Sequence, residues 1–352
     1  MDDYKVNLES LLLSYYIRYD RLLNMTMASL ADIQIDTVDV YIDLYDYLKP
    51  IYTKDIYANK RFLVVSSIIN LAAHIRGFFR TRHRLYTRIY LVYGESITDQ
   101  HKVFYPSFGD DSFRQTMNYQ KNDEFIKSQL QLLKILCGYI PDVYYIERKS
   151  NFSMFTFDNI YKNPALPAVI FTKSKYAYQI PAMLPNAKIF RPKKTKDGDA
   201  SYIVSKPYVY GNIYNKISDM HTLDRLSKIN PELCSIMLTL TGLPSYGVNS
   251  IFNVRAASKI LYNAIEQGRI LNGYTSDIDY IYNNISSVEN KIDPVTFKYR
   301  FNTIDLVYQH RIYNSTAEAR DISWQINLND PKAVQDINNK YFADNPLDLN
   351  SL

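Results

Sequence analysis

The residue with the clearest chemical prospects is Asp43, which closes the β-branched and aromatic run Thr37-Val38-Asp39-Val40-Tyr41-Ile42-Asp43-Leu44. Such a run predicts a buried strand. In an open parallel sheet, ligands gather just beyond the carboxyl ends of the strands, so a carboxylate there is a candidate ligand for a hard divalent cation. The plain alternative is a carboxylate that caps the next helix or pairs with an arginine. A metal centre needs more than one such acid.

Positive charge is the second prospect. From Arg61 to Gly94 there is no Asp or Glu, while Arg76, Arg80, Arg82, Arg84 and Arg88 accumulate together with His74 and His83. On a continuous helix Arg76, Arg80 and Arg84 would share one face, and such a stripe could track a phosphate backbone. A solvated basic face, or pairs with acids elsewhere, would explain the same residues without a ligand.

Other chemistries find little support. His74, His83, His101, His221 and His310 lack compact ligand spacing, and two cysteines, Cys137 and Cys234, cannot build a zinc cluster. With 10 glycines in the chain there is no Walker-type loop and no dinucleotide fingerprint.

The elements that must position these groups follow in order. Asn7 to Ala31 carries Leu8, Leu11, Leu12, Tyr15, Tyr19, Leu22 and Met27 at helical spacing, an amphipathic helix that packs on its own body or on a neighbour. Tyr45 to Lys60, with Pro50, reads as a loop or short helix, and Phe62 to Phe79 as a helix packed on the sheet. Further strands are expected at Ile89–Tyr93, Val143–Ile146, Ala168–Phe171 and Lys188–Phe190, with a helix over Asp123 to Cys137 between the second and third. That alternation predicts a parallel α/β sheet with flanking helices. Arg191 to Ala200 reads as a hairpin turn into Tyr202-Ile203-Val204. Pro231 to Leu240 and Val254 to Gln267 read as two helices around a glycine-containing link. Beyond Gly273 little period is sustained, and Tyr341 to Leu352 reads as an extended tail.

The 352 residues, 47% of them hydrophobic, suffice for a large core. Tyr (33) and Phe (16) supply nearly all aromatics, beside one Trp. Tyrosine suits wet interfaces and base stacking, although an AT-rich genome, such as a phage's, inflates Tyr, Asn, Ile and Lys alike. Net charge is +5, so nucleic-acid affinity would have to come from a local patch. Asp2, Asp3 and Glu9 occupy the place of a basic signal region, and no apolar run reaches membrane-spanning length. The expectation is an intracellular protein without a membrane partner, in host cytoplasm or virion.

From about Val38 to Gly268 the order of these pieces resembles the PIN and flap-endonuclease superfamily of 5′ nucleases. Ile42-Asp43-Leu44 is similar to that family's first metal-binding strand. Val169-Ile170-Phe171-Thr172-Lys173-Ser174-Lys175 lies where the family has a strand followed by paired aspartates. Leu238 to Leu243, followed by Val254 to Leu261, resembles its helix-hairpin-helix segment. The resemblance implies hydrolysis of DNA or RNA by divalent metals in a carboxylate cluster, which must offset their charge.

The sequence departs from that pattern. After the second strand only Glu95 stands near the expected acid. The acidic helix after the third strand is replaced by Asn151 to Phe157, between Glu147 and Asp158. At the fourth strand Lys173, Ser174 and Lys175 replace the aspartates, and ammonium groups repel Mg²⁺. The Gly-hydrophobic-Gly link reads Ile251-Phe252-Asn253. The primary expectation is therefore a 5′-nuclease-like protein with a degenerate metal site, a nucleic-acid-binding or assembly module that needs no cofactor. Arg76, Arg80, Arg84, Arg88, Lys173, Lys175, Arg255 and Lys259 would contact DNA or RNA. A structural virion component is one alternative, with the N-terminal helix and C-terminal tail docking virion or replication proteins. The other is an active nuclease binding Mg²⁺ or Mn²⁺ at a site rebuilt from Asp43, Glu95, Glu147 and Asp158. The expected divisions are an N-terminal helix (1–31), a PIN-like core (32–215), a helix-hairpin-helix-like segment (216–273) and an irregular C-terminal extension (274–352).

Overall fold

The computed structural model describes residues 36–52, 63–94, 117–148, 151–204, 232–266, 278–309, 322–323, 336 and 339, apart from 139, 185, 196–197 and 244–247. The predicted N-terminal helix, Glu95 and the C-terminal tail lie outside these residues.

Five strands run parallel at the centre: β1 (Thr37–Asp43), β2 (Tyr86–Gly94), β3 (Val143–Arg148), β4 (Ala168–Phe171) and the first part of β5 (Ala187–Thr195). Antiparallel β6 (Gly198–Val204) and the short β7 (Ile322–Ser323) finish the edges, in the order β6-β5-β4-β1-β2-β3-β7. The expected hairpin is the β5–β6 pair.

Side chains alternate across a strand, and β1 uses both faces. Val38, Val40 and Ile42 are at most 1% exposed and pack beneath α1 (Leu44–Tyr52), α2 (Leu63–His83) and α3 (Met117–Cys137). Each such side chain contributes about 1.5–3 kcal/mol by leaving water. The other face of β1 carries Asp39, Tyr41 and Asp43, and its Tyr41 joins a second core. That core is built from α4 (Phe152–Lys162), α5 (Gln179–Met183), α6 (Glu232–Thr241) and α7 (Val254–Glu266). Cys137 and Cys234 are free, buried thiols in α3 and α6.

The stretch read as aperiodic beyond Gly273 is helical over much of 278–309. It holds α8 (Ile278–Asn284), α9 (Ser286–Glu289) and α10 (Pro294–Ile304), the last capped by the Asp293 carboxylate. These helices are short, so few apolar positions repeat, yet Phe297, Phe301 and Ile304 are buried in the same core as α6. A buried polar knot fastens them. The Gln179 amide donates to the Ile304 carbonyl at 2.7 Å and its oxygen accepts from Leu306 N–H at 2.8 Å and the Ser235 hydroxyl at 2.9 Å, while Asp305 lies 3.0 Å from that hydroxyl. Gln179 is fully buried, and each of these bonds avoids an unsatisfied polar atom.

Gly242 ends α6 with φ of +75°. A Cβ there would come within 2.6 Å of Ser250 N and Val248 O, so the turn demands glycine.

Candidate functional site

The carboxyl ends of the parallel strands form one pole of the sheet. Across β1 and β4 the register pairs Ile42 with Phe171, which carries Asp43 to the side of Thr172 just beyond β4. Asp43 is 6% exposed. One carboxylate oxygen accepts Asp46 N–H at 3.1 Å, capping α1, and the other accepts the Thr172 hydroxyl at 2.8 Å. Asp46, in the first turn of α1, accepts Lys173 N–H at 2.7 Å and lies 3.2 Å from the same hydroxyl. One hydroxyl proton is thus shared between two carboxylates. Burial, and then the charge of Asp46, push the Asp43 carboxyl well above its ordinary value, against the hydrogen bonds from Asp46 N–H and Thr172. Ser174 N–H returns to the Thr172 oxygen at 3.1 Å, which fixes the loop carrying Lys173 and the exposed Lys175.

The remaining candidate acids stand elsewhere. Glu147 is exposed on β3, where the residue in Asp43's row is Ile146, so parity puts Glu147 on the opposite face. Asp158 is bound by Lys162 one turn along α4, at 2.6 Å. Glu95 lies outside the described residues, and among those residues no group of three or more His, Cys, Asp or Glu is placed to hold a metal ion. A two-cation centre needs several free anionic oxygens. Asp43 and Asp46 spend theirs on a hydroxyl and backbone amides, beside two lysines, so the described donor set does not fit such a centre.

The arginine series occupies the other pole. α2 stops at His83, and Arg84 takes φ of 55° with its N–H on the Arg80 carbonyl, a left-handed helix end that breaks the expected stripe. Arg80 and Arg84 are exposed. Arg76 donates to the Pro141 carbonyl, and burial lowers its guanidinium from the ordinary value. Arg88, on β2, makes a two-pronged contact with buried Asp39 at 2.7 and 2.9 Å. Burial raises the Asp39 carboxyl even though Arg88 pulls it down, and Asp39 holds Arg88 more firmly protonated. Between the poles, Tyr41, Tyr90 and Tyr144 lie in register and stack with centroids 4.8 and 5.0 Å apart. Asn159 of α4 donates to the Tyr41 hydroxyl at 3.0 Å.

Arg255 and Lys259 are exposed one turn apart on α7, whose first turn is capped by Asn253, through Ala256 N–H at 2.9 Å. Lys259, Asn263, Asn284 and Ser286 border a cleft of about 380 Å³ between α7 and α9. In the link before α7 the Ile251 and Phe252 amides both donate to the Leu240 carbonyl, at 2.9 and 3.0 Å, and so point at the end of α6.

No family model matches the sequence, and no curated protein matches it. Solved structures do. A flap endonuclease of bacteriophage T5 superposes with a TM-score of 0.53 at 9% identity, over 80% of this chain and 94% of that one. The chain has the 5′-nuclease fold. The T5 structure is described as a pseudo-enzyme, an aspartate-to-lysine variant in a product complex with DNA and metal ions. Human GEN1 bound to Holliday junction DNA is a weaker match, with a TM-score of 0.49 at 9% identity over 87% of this chain and 68% of that one. The residues that meet Asp43 and Arg88 here and that sequence reading missed are Asp46, Thr172 and Asp39. Asp46 had a local signal, since acids at 43 and 46 straddle a helix start. Thr172 becomes visible only once β4 is aligned beside β1.

Proposed function

We propose that this protein is a nucleic-acid-binding 5′-nuclease-fold protein whose metal chemistry has been given up. The observation that carries this reading is the occupation of the Asp43 and Asp46 oxygens by the Thr172 hydroxyl, Lys173 N–H and the start of α1, with lysines 173 and 175 beside them. Carboxylates so engaged are poor ligands for a hard cation, and lysines on the neighbouring loop add charge of the sign that repels one. The same lysines attract phosphate. Lys173 and Lys175 on one loop, with Arg255 and Lys259 on α7, supply the charge for a phosphodiester backbone, and α6 and α7 act as the helix-hairpin-helix-like pair of that interface. The T5 neighbour of this fold, with lysine where aspartate stood, holds DNA together with metal ions.

The test uses purified full-length protein with labelled flapped and single-stranded DNA in Mn²⁺ at low salt, beside an Asp43→Ala control. Intact but retarded DNA is the expected result. Cleavage that vanishes in the control would overturn the reading in favour of an active nuclease, and DNA both intact and unretarded would overturn it in favour of an assembly component.

A further inference from the structure

Every nucleic-acid strand that reaches the carboxyl pole brings negative charge to a place that already holds two carboxylates. Something must offset it. In the described residues that pole offers hydrogen-bond donors already turned inward: Lys173 N–H on Asp46, Ser174 N–H on the Thr172 oxygen, and the Thr172 hydroxyl between Asp43 and Asp46. The same loop also carries two lysines, half-buried Lys173 and exposed Lys175.

The loop holds the backbone of both lysines in place. It leaves β4 at Thr172, is tied twice to α1 through Asp46, and enters the 3₁₀ turn Tyr176–Tyr178, whose Tyr176 and Ala177 are buried. Tyr178 N–H then closes on the Lys175 carbonyl at 3.0 Å. A lysine on such a loop loses less freedom on binding than one on a loose segment.

We infer that Lys173 and Lys175 take over the electrostatic task of divalent cations at this pole, so that the protein grips the phosphodiester backbone without any metal. The inference rests on the nucleic-acid-binding reading above and adds its chemistry: fixed organic cations in place of exchangeable inorganic ones. Two consequences are measurable. Affinity in EDTA is at least as high as in Mg²⁺, which as a counterion competes for the same phosphates. Both lysines also contribute to the salt dependence, which scales at roughly 0.9 per neutralised phosphate for duplex and roughly 0.7 for single strands.

The experiment measures binding of a fluorescent single-stranded oligonucleotide, as DNA and as RNA, by anisotropy across a salt series in EDTA and in Mg²⁺. It uses the wild type, the double variant Lys173→Ala/Lys175→Ala, and the charge-keeping Lys173→Arg/Lys175→Arg. Thermal unfolding checks that each variant is folded, and the Lys173 amide that serves Asp46 survives all of them. Expected are wild-type affinities in EDTA at least as high as in Mg²⁺ for at least one strand type, a roughly tenfold loss with a salt slope lower by about 1.4 in the alanine variant, and recovery in the arginine variant. Binding that requires Mg²⁺ would overturn the inference and leave the binding reading standing. So would metal-independent binding that the alanine variant retains. Failure of the wild type to bind either strand under both conditions would overturn the reading itself, and the inference with it.

Discussion

Asp39 and Asp43 stand on the same face of the same strand, both nearly out of contact with water, and they have met different partners. Asp39 faces an arginine across the register and forms a two-pronged ion pair with it. Asp43 faces another carboxylate, and its oxygens meet a hydroxyl and backbone amides. Burial costs a carboxylate its hydration in either setting, and the outcome depends on what replaces the water. The guanidinium offsets part of that cost, so the Asp39 carboxyl is raised but paired; neutral donors beside a second acid leave the Asp43 carboxyl well above its ordinary value.

The largest effect should come from Arg88→Ala, which leaves Asp39 buried without its cation. Removing one partner of a fully buried pair costs about 3–5 kcal/mol. Arg88 keeps 30% exposure, so we expect about 2–3 kcal/mol in urea unfolding, largely recovered by adding Asp39→Asn. Full stability in the single variant would mean that the pair is not what holds Asp39.

A smaller effect, of opposite sign, is expected at the carboxyl pole. Because the folded state raises the Asp43 pKa above its unfolded value, the folded protein binds the proton more tightly. Stability therefore falls as pH rises from the ordinary carboxylate range through the raised folded value. Asp43→Asn, which cannot ionise, should flatten that profile and gain on the order of 1 kcal/mol at neutral pH. A profile as steep as the wild type's would assign the slope to other groups. The smallest effect should be none at all. Mg²⁺ at a hundred times the dissociation constant of a genuine site would stabilise by about 2.7 kcal/mol, and here millimolar Mg²⁺ should leave the melting temperature unchanged. A clear upward shift that Asp43→Asn abolishes would show the two poles to be less different than drawn.

The central strands were legible in the sequence because each is a dense β-branched or aromatic run, and their order alone pointed to a parallel sheet. Asp43 was legible too, including its helix-capping alternative, which the contact with Asp46 N–H realises. Its partners were not. Thr172 is distant in sequence and meets Asp43 only through strand pairing, and Asp39 was read as part of the strand rather than as the seat of Arg88. The arginine stripe failed at one backbone angle: nothing in Arg80-Thr81-Arg82-His83-Arg84 marks a helix end, since Arg84 adopts a conformation that glycine usually supplies. The C-terminal helices escaped notice because α8 and α9 are too short to show a period, and α8 is buried against α10, which packs on α6.

The rows that cross β1 and β2 also bear on how the chain finds its alignment. Reading along the face, the pairs are Asp39 with Arg88, Tyr41 with Tyr90, and Asp43 with Val92. A slip of one residue would turn the whole face over. A slip of two keeps the face but sets Asp39 against Tyr90 and Arg88 against Thr37, or else Asp39 against Tyr86 and Arg88 against Tyr41. Either way a carboxylate enters the interior with no guanidinium, and a tyrosine loses its stacked neighbour. Misaligned pairings are thus made costly instead of merely less favourable, and the polar row acts as a proofreading mark during assembly of the sheet.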